Sequence, residues 1–361
     1  MTYIIDAHQD IAYNAFTLGR DFRLSAHEIR RMEAGTNIPA WNNGEATLGW
    51  QDYQRGKIAL IFATLFFAPR KYNGGDYEIH TYSNPKEARP LFRVQLDYYH
   101  SLTEDGEKYQ LVKNQVDLAR VLEPWQQDLP GDHPVGLILL LEGAEALGDP
   151  RELEEYYAEG LRMVGPVWSG IRYMGGTNED RPFDHEARHL LEIMASLNMI
   201  LDISHMTERA SLTSLDLYEG PVMAGHGNCR AVNGGQGGER HFTDATLRRL
   251  LDRDGVMGVL PYNKFLVSEW NSNLPRESVT LDNVIRHIDH VCQLAGDSKH
   301  VAIGSDFDGG FGFPRIPLEI DTIADFQKLA PALKERGYTG QDVENIFHQN
   351  WFNLLERSLP G

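Results

Sequence analysis

The chain has 361 residues, 42% hydrophobic and 24% charged, the balance of a soluble globular protein. No apolar run is long enough to span a bilayer, and only Cys229 and Cys292 are present, which excludes a disulfide scaffold or a Cys-rich zinc ribbon. A formal charge of −18, spread along the chain, speaks against nucleic acid and anionic membranes as partners, since neither is attracted to it.

Taken in order, the first element is YIID (3–6), a strand that runs into His8-Gln9-Asp10. No basic stretch or cleavable apolar segment precedes it and no apolar tail closes the chain, so a cytoplasmic location is expected. Residues 18–56 exceed a simple crossover and predict an insertion near the mouth of the fold. KIALIFATLFFA (57–68) is the second strand. A helix pattern over 83–105 follows, with Pro90 expected to kink or divide it. VGLILLLE (135–142) is the third strand and RMVGPVW (162–168) the fourth. A helix over 182–198, with Asp184 as N-cap, leads to MILDISH (199–205), and then come PVMAGH (221–226) and GVMGVLP (255–261). A helix over 278–296 ending on Gly296 precedes the eighth strand, HVAIGSD (300–306).

Strands that are continuously apolar rather than alternating are covered on both faces, as in a parallel sheet under helices. Eight of them, alternating with helices and without repeats or linkers, predict one domain over 1–361: an α/β fold of the (β/α)8 TIM-barrel type.

In such a barrel the reactive groups sit where strands end at one mouth. The first strand is followed by His8 and Asp10, the third ends in Glu142, the fifth in His205, the sixth in His226 and the eighth in Asp306. Residues two apart on an extended chain point the same way, so His8 and Asp10 can share an ion. His205 and His226 can hold a second, with the Glu142 carboxylate bridging both. Cations would neutralise an acid at the end of an aliphatic run. Nitrogen and oxygen donors without thiolate suit zinc, with manganese or iron as alternatives. Asp306 is placed to move a proton between a bound water and a leaving group. Asp308, beside Gly309 and Gly310, reads as a turn former.

Residues 185–189, HEARH, match a zinc-protease motif letter for letter. On their helix, however, Ala187, Leu190, Leu191, Met194 and Leu197 form the buried stripe, and both histidines fall on the opposite, solvent side. The Gly-rich stretch 225–242 reads as a mobile loop over the mouth. It holds Arg230 and Arg240, and spacing does not decide which of them, or neither, is a carboxylate clamp.

DAHQD, the Glu of LLLEG, DISHM, AGHGN, GERHFTD and IGSDFDGG, in this order, resemble the membrane dipeptidase (renal dipeptidase) family along essentially the whole chain. The resemblance implies a binuclear zinc site with His8 and Asp10 on one ion, His205 and His226 on the other and Glu142 bridging. It also implies Asp306 as general acid/base, Arg240 on the substrate's terminal carboxylate, Tyr262 in the pocket wall, and a homodimer. Trp168 stands where vertebrate members have a substrate-holding histidine; it cannot be protonated and donates only from its indole nitrogen. The expected function is a zinc dipeptidase in which a metal-bridging hydroxide attacks the peptide bond. The alternatives are a dimetal hydrolase for another amide or a lactone, and a non-catalytic binding protein that kept the pocket.

Overall fold

A computed structural model describes residues 2–361. Its centre is eight parallel strands: β1 (Ile4–Gln9), β2 (Ile58–Leu65), β3 (Val135–Glu142), β4 (Leu161–Gly165), β5 (Ile200–Asp202), β6 (Val222–Cys229), β7 (Val256–Val259) and β8 (Val301–Ile303). Each pairs with its neighbour, and β8 returns to β1 through Ile303 and Asp6 to close a (β/α)8 barrel. Every strand residue is buried, because side chains fill the inside and helices cover the outside. Two short strands lie off the ring, Tyr109–Leu111 beside β3 and His241–Phe242 beside β6.

One side of the ring is drawn tight by glycine. A Cβ on Gly258 or Gly304 would sit 2.1 or 2.0 Å from the Gly225 carbonyl oxygen, so backbone meets backbone there. The C-terminal helix Asn350–Ser358 packs against the barrel through Trp351. Its buried indole donates to the Ile303 carbonyl at 2.9 Å and meets Phe62 edge-on. Among the described residues, no helix is long and apolar enough to cross a membrane.

Helix His185–Ser196 is capped by Asp184, which accepts the Ala187 N–H at 3.0 Å, and helix Leu281–Ala295 ends on Gly296 at φ +84°. Two expectations are corrected. Pro90 does not divide its helix, which runs unbroken over Pro85–Leu102. Pro90 forfeits one backbone hydrogen bond to the carbonyl four residues earlier, and the buried face of Ala88, Phe92, Leu96 and Tyr99 holds the segment helical despite that loss. The 225–242 stretch is only partly a loop: it continues β6 to Cys229, and Phe242 pairs back with Cys229.

The segment between β1 and β2 carries helices Ala26–Glu33, Ile38–Trp41 and Trp50–Gly56, and it is stapled to the loop after β8. Asp308 does more than form a turn. Although its φ is +65°, its side chain is fully buried and accepts from the Thr47 N–H at 2.9 Å, the Thr47 hydroxyl at 2.8 Å and the Leu48 N–H at 3.2 Å. Arg20 lies 3.5 Å away. Asp308→Asn removes the charge that these donors and Arg20 solvate. It should cost about 2–3 kcal/mol, read as a lower denaturant midpoint with an unchanged slope; an unshifted midpoint would remove Asp308 from this role.

Candidate metal centre

His8 lies in β1, Glu142 ends β3 and His226 lies in β6, while Asp10, His205 and Asp306 follow β1, β5 and β8. The barrel brings all six to one centre. His8 Nε2 is 3.3 Å from Glu142 Oε1, 3.8 Å from Asp10 Oδ1 and 3.8 Å from Asp306 Oδ1. His205 Nε2 is 2.9 Å from the same Glu142 oxygen and 3.0 Å from His226 Nε2. Two ligand groups result, His8–Asp10–Glu142 and Glu142–His205–His226, each with its donor atoms within 4.8 Å of one another.

The donor set fits divalent cations. His205 Nδ1 shares a 2.8 Å hydrogen bond with the Thr177 hydroxyl, which leaves Nε2 facing Glu142 and His226. Nδ1 of His8 and of His226 are buried without a partner. Two imidazole nitrogens crowded onto one carboxylate oxygen are stabilised by a shared proton or by a cation between them.

His8 reaches the centre by a route that simple alternation does not describe. Its φ is +75°, and the β1–β2 register slips between Asp6 and Gln9. The strand turns at its end, and both His8 and Asp10 still converge. Asp306 is also left-handed, at φ +52°. Such conformations in non-glycine residues are costly and gather at functional sites. The loop carrying Asp306 packs directly on the carboxylates: a Cβ on Gly309 would lie 2.0 Å from Asp306 Oδ1 and 2.9 Å from Asp10 Oδ2.

Above the centre opens a cavity of about 480 Å³. Arg240 lines it, aimed by Nη1 donating to the carbonyls of Ser204 at 2.9 Å and His226 at 3.2 Å. Arg230 is not in the cavity lining; it donates to the Gly238 carbonyl and lies near Glu208 and Glu239. Tyr262 stacks on Phe311 at 4.4 Å and accepts from the Asn43 amide. Trp168 lies just past the end of β4, its ring 5.2 Å from Phe66 and 6.1 Å from His205. His185 and His189 of the HEARH motif are exposed on their helix, apart from this centre.

Residues 1–358 match the membrane dipeptidase family, peptidase family M19. The chain belongs to this family. A Klebsiella pneumoniae protein from the pqqA 5′ region is 31% identical over 236 residues, covering 62% of this chain and 83% of that one. Dipeptidase tcpJ of Claviceps purpurea is 27% identical over 220 residues, 59% of this chain and 49% of its own length. The match thus spans about half the length of this fungal relative. Among solved structures, a metallopeptidase from Rhodobacter sphaeroides, liganded with a phosphinate mimic of L-Ala-D-Ala, covers 99% of both chains at TM-score 0.77 and 22% identity. The probable dipeptidase PvdM from Pseudomonas aeruginosa covers 99% of this chain and 96% of its own at TM-score 0.78 and 16% identity. These structural likenesses establish a shared fold.

In this member of the metallopeptidase family, the carboxyls of the centre are driven apart. Burial disfavours charge on Glu142, but His8 and His205 overcome it and hold the group below the usual carboxylate range. Burial lifts Asp10 to about 6 and Asp306 well above its ordinary value, with Asp10 and Glu142 adding to the rise at Asp306 against His8 and Arg240. Burial also opposes charge on His8, yet Glu142, Asp10 and Asp306 outweigh it and lift the ring to about 10. His205 falls to about 4 through burial and Arg240, and His226 is lowered well below the usual histidine range through burial, His8 and Arg240. One carboxyl favours charge and another favours its proton, the division that acid–base work requires.

Two residues escape a reading by strand ends alone. Asp202 is buried, accepts the Ser204 and Gly225 N–H groups, and has a donor atom within 4.8 Å of His8 and His226. Its signal, an acid inside an apolar strand, is the one that marks Glu142. Thr177 sits in a loop and gives none.

Proposed function

We propose that this metallopeptidase hydrolyses dipeptides with a pair of divalent cations, zinc foremost, that share Glu142. One observation carries the reading: a single Glu142 oxygen stands 3.3 Å from His8 Nε2 and 2.9 Å from His205 Nε2. His8 and Asp10 would hold one ion, and His205 and His226 the other. When bound, such ions lower the pKa of a water to about 7 and polarise a carbonyl. Asp306, which favours its proton and faces the cavity, would hold that proton for the departing amine. Arg240 would grip the terminal carboxylate through charge-assisted hydrogen bonds. Trp168 and Tyr262 would wall the substrate off from water. The dipeptide mimic bound by the Rhodobacter relative supports the substrate class.

Metal content by mass spectrometry, beside turnover of L-L and L-D dipeptides, tests the reading. A protein that takes up neither zinc, manganese nor iron, or that leaves every dipeptide intact once loaded, would sink it. Arg240→Ala should lower kcat/KM for free dipeptides by about two orders of magnitude, and much less for dipeptide amides, which lack the carboxylate. Equal losses on both would remove Arg240 from the clamp. Trp168 favours a second reading, a neighbouring amide or lactone as substrate, because it puts an indole wall beside His205. A panel adding lactones and N-acyl amino acids separates the two.

A further inference from the structure

We propose that Glu78 and the aromatic rings around it form a subsite for a positively charged group on the amino-terminal residue of the substrate, an assignment that rests on the dipeptidase reading. Glu78 lines the cavity and is 8% exposed. Its Oε1 accepts from the Tyr13 hydroxyl and its Oε2 from the Gly74 N–H. A carboxylate offers about four acceptor positions, so its capacity is about half used.

Other buried carboxylates of this chain either keep a cation, as Glu33 and Asp308 do with Arg20 and Asp52 with Arg55, or accept from three or more donors, as Asp6, Glu145 and Asp202 do. Among the described residues, Glu78 forms no such pair. A buried anion without a counter-charge and with acceptor positions unused is costly, and a cation arriving from the cavity removes that cost. The rings nearby suit the same visitor. Trp41 stacks on Tyr77 with centroids 5.2 Å apart and planes 5° from parallel, and both line the cavity with Tyr13. Trp41 is 41% exposed, a large ring held open at the mouth. Aromatic faces attract ammonium and guanidinium groups.

Topology supplies the direction. Glu78 follows β2 and Arg240 follows β6, which are opposite strands in a ring of eight. A substrate whose carboxylate lies at Arg240 therefore reaches towards Glu78 with its amino-terminal residue, by its side chain or its α-amino group.

Three substrates separate the sources of charge: lysyl-alanine, norleucyl-alanine without the side-chain charge, and hexanoyl-alanine without either. The wild type should favour a charged member over its uncharged counterpart by about ten-fold or more in kcat/KM, and Glu78→Gln should bring that ratio close to one. Trp41→Leu, which leaves the Tyr13–Glu78 contact in place, should lower it in part. A ratio taken within one protein cancels any loss of folded fraction. Calorimetric Kd values for the matching phosphinic analogues give the ratio without turnover. If no dipeptide is cleaved, the reaction reading fails and the calorimetric ratio alone decides the subsite. Ratios unchanged in both variants overturn it.

Discussion

Asp306→Asn should keep its metals and lose about two to four orders of magnitude in kcat. Asparagine preserves the size of the side chain, so Gly309 still packs against it and the left-handed backbone at this position is undisturbed. What disappears is a group able to release and regain a proton. Asp306 is suited to that work because burial raises it while Glu142, in the same centre, stays charged. Its 3.8 Å separation from His8 Nε2 places it beside the ligand groups. The measurement is single-substrate kinetics together with metal content. Near wild-type kcat with full metal would assign the proton to another group; full loss of metal would make Asp306 a ligand instead.

The second large effect belongs to Glu142→Gln, which should strip the protein of both ions and of activity together. A neutral amide cannot balance two cations in a buried site. Mass spectrometry reads the metal directly. Thermal unfolding gives an independent check: chelation should destabilise the wild type, since a ligand at 100 times its Kd contributes about 2.7 kcal/mol, and should leave the variant unmoved. Full metal content in the Glu142→Gln variant would show that the shared carboxylate is dispensable.

The barrel was legible in the sequence because strands buried on both faces leave uninterrupted aliphatic runs, and eight such runs appear in order. The candidate centre was legible for a related reason. Glu142 and His226 are polar groups in buried strands, and burying them demands a partner of some kind. Asp202 sends the same signal from β5 but is overshadowed by His205, three residues later. Glu78, Thr177 and Asp308 behave differently. They lie on connecting segments without periodicity, and their partners Tyr13, His205 and Thr47 are 65, 28 and 261 positions away in the chain.

By itself, then, the order of residues determined the number and direction of the strands and the kinds of side chain at their ends, because both depend on local burial. Tertiary structure alone decided that one Glu142 oxygen meets both histidine groups, that His8 turns left-handed to join them, and that Arg240 rather than Arg230 faces the cavity. Ring closure and loop packing set those distances, and neither is a property of any short stretch of chain.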